Sequence, residues 1–224
     1  MKPRKTEHPI LFSTPMVQAI LEGRKTMTRR MNNLKLINQN PDHWHISETW
    51  ISLDGNKTIH KIFANSQNGE IKIIKNPFGN PGDKLWVREK FNINTVPTGY
   101  PYHYYADNDV FTDKDSERWK PSIHMPKSAA RIWLEITDVR VMQLQYISQS
   151  DAKNEGVTPL LMSSTQIIQY GQLYQNYLKP VGRFNDGVCA ISSFYSLWCK
   201  INGEESFKSN PWVWVIEFKR IEKP

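Results

Sequence analysis

The stretch Glu22-Gly23-Arg24-Lys25-Thr26-Met27-Thr28-Arg29-Arg30 places four cations, two hydroxyls and a glycine within nine residues. Residues of these types can bind an anion, because guanidinium groups match phosphate bidentately. They can also form a catalytic edge, where a cation and a hydroxyl stand together. A solvated basic turn is the third reading, and the stretch taken alone does not choose among them. The residues before it read as a short helix. Thr14 is the expected N-cap, and Pro15 stands at the first helical position. Gly23 falls where a helix end takes a left-handed residue. Met16, Val17, Ile20 and Leu21 form the apolar face, so an anchored element delivers Arg24 to Arg30 to a defined place.

The chain has 224 residues with 12% aromatics and eight Trp, enough for a packed core. Its net charge of +7 favours an anionic partner such as a nucleotide or nucleic acid. Cys189 and Cys199 fit no metal or redox spacing, and two thiols make no secreted scaffold, so a cytoplasmic setting is expected. The start has no apolar segment of signal-peptide type, and no apolar run reaches membrane-spanning length, so no membrane partner is expected. No phosphate-cradling glycine loop or nucleophile elbow occurs, and no cofactor is implied. His43 and His45 share one face of an expected strand, but no third ligand stands at a convincing spacing, so no metal is expected.

Residues 1–8 read as a flexible terminus, Ile10-Leu11-Phe12 as a buried strand, and His43 to Ile46 and Lys57 to Ala64 as strands. Asn68-Gly69 marks a hairpin leading into Glu70 to Lys75. A Pro81-Gly82-Asp83 turn feeds a strand in which Leu85 and Val87 alternate with Trp86 and Arg88. In the loop-rich stretch 92–120, Tyr100, Tyr102, Tyr104 and Tyr105 suit aromatic packing or stacking. Arg131 to Leu144 is the longest strand signal. Ser148 opens a short helix with Asp151 three residues on, and Gly156 stops it. Residues 165–178 read as helical. Ser193 is the expected cap of a helix whose Phe194, Leu197, Trp198 and Ile201 keep i, i+3, i+4, i+7 spacing, and Gly203 ends it. Trp212 to Ile221 is a closing strand. Strands mixed with short helices, without βαβ alternation, predict an α+β fold built on a small barrel.

The order of these motifs resembles the ASCH domain family of the PUA-like superfamily. The segments that carry the resemblance are Gly-Arg-Lys-Thr-x-Thr-Arg-Arg, Pro-Gly-Asp-x-Leu-x-Val and Asp-Ala-x-x-Glu-Gly. Pro9 to Ser13, Pro121 to Pro126 and Asn210 to Val215 resemble its phage and prophage branch. The resemblance implies one domain over 9–222, with insertions at about 32–79, 92–120 and 158–190. It implies a PUA-like small β-barrel with short flanking helices and hairpin insertions, and a basic cleft for a nucleoside or RNA. Some members of the family are amidohydrolases of N4-acetylcytidine and others are described as ribonucleases. The functional residues of the amidohydrolase motif fall on Lys25, Thr28 and Glu155.

A lysine base must lose its proton near neutral pH. From a free pKa of about 10.4 that requires a drop of roughly three units, or about 4 kcal/mol. Burial and the like charges of Arg24, Arg29 and Arg30 push in that direction, and a nearby Glu155 pushes back. The expected roles are Lys25 as base, Thr28 as nucleophile or water-orienting hydroxyl, and Glu155 as the acid for the leaving amine. Arg24, Arg29 and Arg30 are expected on the ligand, with Trp86, Glu89 and His124 reaching the cleft; Trp86 as core and His124 as a loop residue are the alternatives. Lys25 and Thr28 point to opposite faces if 24–30 is one regular strand, so a shared site needs Lys25 to precede the strand. A non-catalytic RNA or modified-base binding module and a ribonuclease remain as alternatives. An amidohydrolase requires a shielded Lys25 within reach of Glu155, whereas a binder is compatible with an exposed Lys25.

Overall fold

The structure is a computed structural model and describes residues 6–51, 59–93, 101–107, 119–179 and 184–224. Tyr100, Lys57 and most of the expected flexible N-terminus fall outside these residues. Among the described residues three sheets and five short α-helices make an α+β fold. The main sheet has the order β1-β6-β9-β10-β2, from β1 (Glu7–Leu11), β2 (Met27–Arg30), β6 (Lys84–Arg88), β9 (Trp133–Gln143) and β10 (Trp212–Ile221). β1 runs parallel to β6 and the other pairs are antiparallel. Among the described residues no ladder joins β1 to β2, so the sheet is not a closed barrel. One side-chain contact crosses between these edges: Arg30 Nη2 donates to the Leu11 carbonyl at 2.6 Å.

β10 opens on an unbroken apolar run, Trp212 to Ile216, because both of its faces are covered there. Trp212, Trp214, Ile216 and Phe218 enter the larger core with Phe12, Val17, Ile20, Leu85, Val87 and Leu134. Val213 and Val215 enter a second core with Met27, Ala152, Phe194 and Trp198. The second core is covered by α2 (Gln149–Asn154) and α4 (Ala190–Asn202). Residues Trp44–Ile51, Ile59–Asn65 and Ile71–Lys75 form β3, β4 and β5, an antiparallel sheet that packs on the larger core through Trp44 and Phe63. The Phe63 ring meets Trp212 edge-on at 5.4 Å. β7 (Phe91–Ile93) and β8 (Tyr102–Tyr104) form a hairpin whose tyrosines pack on Phe91, Met125 and Ala129.

Several local expectations shift. Ser13 rather than Thr14 occupies the N-cap position of α1 (Thr14–Leu21), without a side-chain capping bond, and Pro15 fits the first turn either way. Glu7 and His8 belong to β1, since β6 supplies them a parallel partner. His43 lies in a one-turn 3-10 helix ahead of β3, so it does not share a strand face with His45. α3 covers only Ser164–Tyr170, because Gly171, at φ 71°, ends it. α4 begins after Cys189, and Ser193 is buried inside it, donating to the Gln175 carbonyl at 2.6 Å. The remaining helix, α5, is Glu204–Lys208.

Candidate functional site

Lys25 stands between α1 and β2, held by the main chain on both sides. Its N–H donates to the Ala19 carbonyl and the Thr26 N–H to the Asn154 carbonyl, each at 2.9 Å. Lys25 and Glu155 form an isolated antiparallel bridge, which brings together residues 130 apart in sequence. The turn after α2 must be glycine for this approach. Gly156 has φ +86°, and a Cβ there would stand 2.8 Å from the Lys25 Cβ and 3.0 Å from the Ala19 Cβ. Gly23 has φ +76° with open space around it, so only its backbone conformation calls for glycine.

Side chains complete the junction. Lys25 Nζ donates to the Glu155 carbonyl and to Glu155 Oε2, both at 2.8 Å. Glu155 Oε1 accepts from Arg29 Nη1 at 3.0 Å, and Arg29 Nη2 reaches Asp151 Oδ2 at 2.6 Å. Asp151 and Glu155 can share Arg29 because they stand four residues apart on one side of α2, whose N-terminus Ser148 caps through the Asp151 N–H. Lys25 is 2% exposed and Glu155 6%. Burial pushes Lys25 below its ordinary value; Glu155 opposes this, and the charges of Arg30 and Arg29 add to the depression.

A cavity of about 220 Å³ opens beside β2. Thr28, Arg29, Arg30, Asn32, Asn202 and Glu155 form its polar side, and Met16, Met31, Phe194, Leu197, Trp198 and Ile201 its apolar side. Thr28 and Arg30 pair with Ile216 and Trp214 of β10, so they point to the face of the larger core. The ring of Phe12, in that same core, lies 5.8 Å from Lys25 Nζ and 5.1 Å from Arg30 Cζ. Lys25 therefore comes to the face that Thr28 occupies, because it precedes β2 and escapes its alternation. The Thr28 hydroxyl has no hydrogen bond to Lys25; both side-chain contacts of Lys25 go to Glu155.

The other expected ligand residues lie elsewhere. Arg24 is tied to Glu22 Oε2 at 2.6 Å and to the Gly156 carbonyl at 2.7 Å, and so braces the junction. Trp86 projects opposite Leu85 and Val87, with the Arg88 guanidinium 5.5 Å from its ring. Glu89 is 1% exposed and accepts two bonds from Arg131, each 3.0 Å. His124 is exposed at the end of a one-turn 3-10 helix. Among the described residues none of these four borders the cavity. Asp151 and the α4 wall were not singled out as site residues. The spacing of Asp151 to Glu155 was a usable signal, whereas Phe194, Leu197, Trp198 and Ile201 were legible only as a core-facing helix stripe.

Comparison of the chain with protein-family models, curated proteins and solved structures finds no match. The resemblance to the ASCH family therefore rests on the motifs quoted above. Among the described residues no group of three His, Cys, Asp or Glu side chains has metal-binding geometry, and no helix is long and apolar enough to cross a membrane.

Proposed function

We propose that the cavity beside β2 binds a nucleobase or nucleoside and that the protein hydrolyses an amide on a modified nucleoside, as its ASCH-like motifs imply. The observation that carries this reading is the buried Lys25–Glu155 pair at 2.8 Å, of which Glu155 borders the cavity that Thr28 lines. On this reading the main sheet corresponds to the small barrel of the PUA-like fold left open between β1 and β2, and the Arg30–Leu11 contact reaches across that gap.

The chemistry follows from a single proton. Its transfer along the Lys25–Glu155 hydrogen bond yields a neutral amine and a carboxylic acid, and burial of Lys25 favours the neutral amine. Lys25 then takes a proton from the Thr28 hydroxyl or from a water that Thr28 orients. The freed oxygen bonds to the acyl carbon, and the carbon–nitrogen bond breaks as Glu155 protonates the leaving amine. If Thr28 attacks directly, water then hydrolyses the threonyl ester. A base at this cavity has room for one ring rather than a strand, since about 220 Å³ lies below the roughly 300 Å³ at which ligand pockets ordinarily begin.

The binding-module alternative is compatible with an exposed Lys25 and needs arginines free to meet phosphates. Lys25 is buried, and Arg24 and Arg29 are already engaged by Glu22, Glu155 and Asp151. The test is a panel of N-acylated and otherwise modified nucleosides followed by chromatography. Product is expected with the native chain, with a loss of about 10²–10⁴-fold in Lys25→Ala. Equal turnover by Lys25→Ala would remove the mechanism. Absence of product from every member, with salt-sensitive RNA binding, would favour the binding module.

A further inference from the structure

We infer that α3 and the loop that carries it form a self-association surface, on which the α3 of a second copy of this chain docks about a two-fold axis.

The excursion between α2 and α4 has a fixed root. Leu160 N–H donates to the Leu173 carbonyl and Gln175 N–H to the Thr158 carbonyl, each at 2.9 Å. Val157 and Tyr174 are buried in the second core, and Tyr177 packs against it. At the other end no residue of α3 is buried. The helix is nevertheless sharply started, since Ser163 and Gln166 make a reciprocal capping box. Seven residues are far below the roughly 12–15 at which an isolated helix becomes even marginal in water, so its stability must come from packing an apolar face. Side chains for such a face are present. Ile167 and Ile168 are exposed, Ile168 at 86%, and Leu161, just ahead of the helix, is fully exposed.

Charge selects the occupant. From Gly156 to Leu178 the chain has no Asp, Glu, Lys, Arg or His, so the whole net charge of +7 lies outside the excursion. Two copies of such a chain repel, and they meet closely only through a surface that adds no like charge. An RNA would call for cations here, and a membrane-surface helix carries Lys and Arg on its polar face. The polar residues of α3 are Ser164, Thr165, Gln166 and Gln169. Depletion of charge around exposed aliphatic side chains is the composition of a homodimer contact. A two-fold axis makes each exposed side chain serve twice. Between Thr158 and Leu178 every residue except Tyr174 keeps exposed surface, which caps the contact at 20 positions a side. That is the low end of the roughly 20–30 of an ordinary interface, so the dimer belongs in the micromolar range.

The test is sedimentation of the full chain from about 1 to 500 μM. The weight-average mass is expected to rise from 26.2 kDa toward twice that value. The rise should be the same at low and high salt, because no charge lies at the contact. Ile168→Lys brings two added cations into one contact and is expected to raise Kd at least about 30-fold. Its melting temperature at the lowest concentration should stay at the native value, because Ile168 is exposed. Mixing Ile168→Lys chains with Ile168→Glu chains is expected to restore an association that neither shows alone. A single 26.2 kDa species throughout the series overturns the inference. So does an association that weakens as salt rises, one that Ile168→Lys leaves unchanged, or a mixture that fails to recover. If Ile168→Lys melts early, Leu161→Glu, outside the helix, decides in its place: weakened association supports the surface, and unchanged association overturns it.

Discussion

Two charge clusters in this molecule, each holding a buried glutamate, are built to opposite plans. Around Glu155, several cations converge on one carboxylate: Lys25 and Arg29 bond to it, and Arg30 stands near enough for its charge to act on Lys25. Around Arg131, two carboxylates converge on one guanidinium. Its Nε and Nη2 donate to Glu89 at 3.0 Å and its Nη1 to both oxygens of Asp107 at 2.8 Å. Its face lies 3.9 Å from the Tyr104 ring centroid. Burial pushes the Tyr104 hydroxyl up to about 12, and that hydroxyl donates to the Ala129 carbonyl at 2.7 Å. Burial and displaced titration are common to both clusters, so neither marks a site. What separates them is matching. The Arg131 cluster has an acceptor for four donor bonds. The Glu155 cluster keeps, among the described residues, two guanidinium Nε groups without acceptors, and a cavity beside them. Glu89, expected on the ligand from its place in the sequence, is instead the closed partner of Arg131.

That contrast can be broken most sharply by kinetics. Lys25→Ala should lower kcat/KM for an acylated nucleoside about 10²–10⁴-fold, while Arg131→Ala, measured per folded molecule, should change it only a few-fold. Comparable losses would erase the distinction. Stability should respond in the other order. Arg131→Met strands Glu89 in the interior, at a cost of about 3–5 kcal/mol. Lys25→Met leaves Glu155 still paired with Arg29, and should cost about 1–3 kcal/mol. Urea denaturation of the two variants compares them directly, and a larger loss for Lys25→Met would invert the picture.

Gly156→Ala probes the junction without touching a charge. Its added Cβ meets Lys25 and forces a left-handed backbone on alanine, at about 1–3 kcal/mol. Turnover should fall with it. Gly23→Ala meets only the backbone term and should cost about 1 kcal/mol. Melting curves and turnover of both variants separate the two effects.

The smallest effect is in the pH dependence. Lys25 is depressed below its ordinary value of 10.5. Across the window between the depressed value and 10.5 the unfolded chain binds the proton more tightly, so stability rises with pH there, and Lys25→Met should flatten that rise. Glu89 is displaced upward from 4.5, by burial first and against the pull of Arg131. Its share of stability is full below 4.5 and is lost as pH rises through the raised value. Glu89→Gln should flatten that fall. Urea midpoints from acid to alkaline pH read both slopes, and slopes of the same sign would refute the pairing of causes.

Much of the fold was legible where one element explains itself. Pro15 and Gly23 bracket α1, Ser148 caps α2, and the alternation in Lys84 to Arg88 separates an inner from an outer face. β10 was legible as a strand from its apolar run, though not as the strand that divides two cores. The errors came where a residue had two possible uses. Ser193 has the chemistry of a cap but serves as an interior donor, and after Gly171 the main chain of Leu173, Tyr174 and Gln175 pairs with Leu160, Val188 and Thr158 instead of continuing a helix. Of the site, Lys25, Thr28 and Glu155 were named from a resemblance in motif order. Trp86 and His124 were named too, and lie away from the cavity, because loop and strand spacing do not report which side a neighbouring element covers.

By itself the sequence determined the local geometry: a helix that stops at Gly23, Thr28 and Arg30 on one face of a strand, and a glycine after Glu155; that Lys25 precedes the strand was decided by the structure, which starts β2 at Met27. The local features follow from backbone sterics and from the twofold repeat of a strand, which act over a few residues. Only the tertiary structure decided which charges are matched. It places β2 at the sheet edge, brings α2 against it, and lays α4 across the gap to wall a cavity. Apolar patterning states that a face must be covered but not by what. The ionic state of a buried group depends on whatever arrives to cover it.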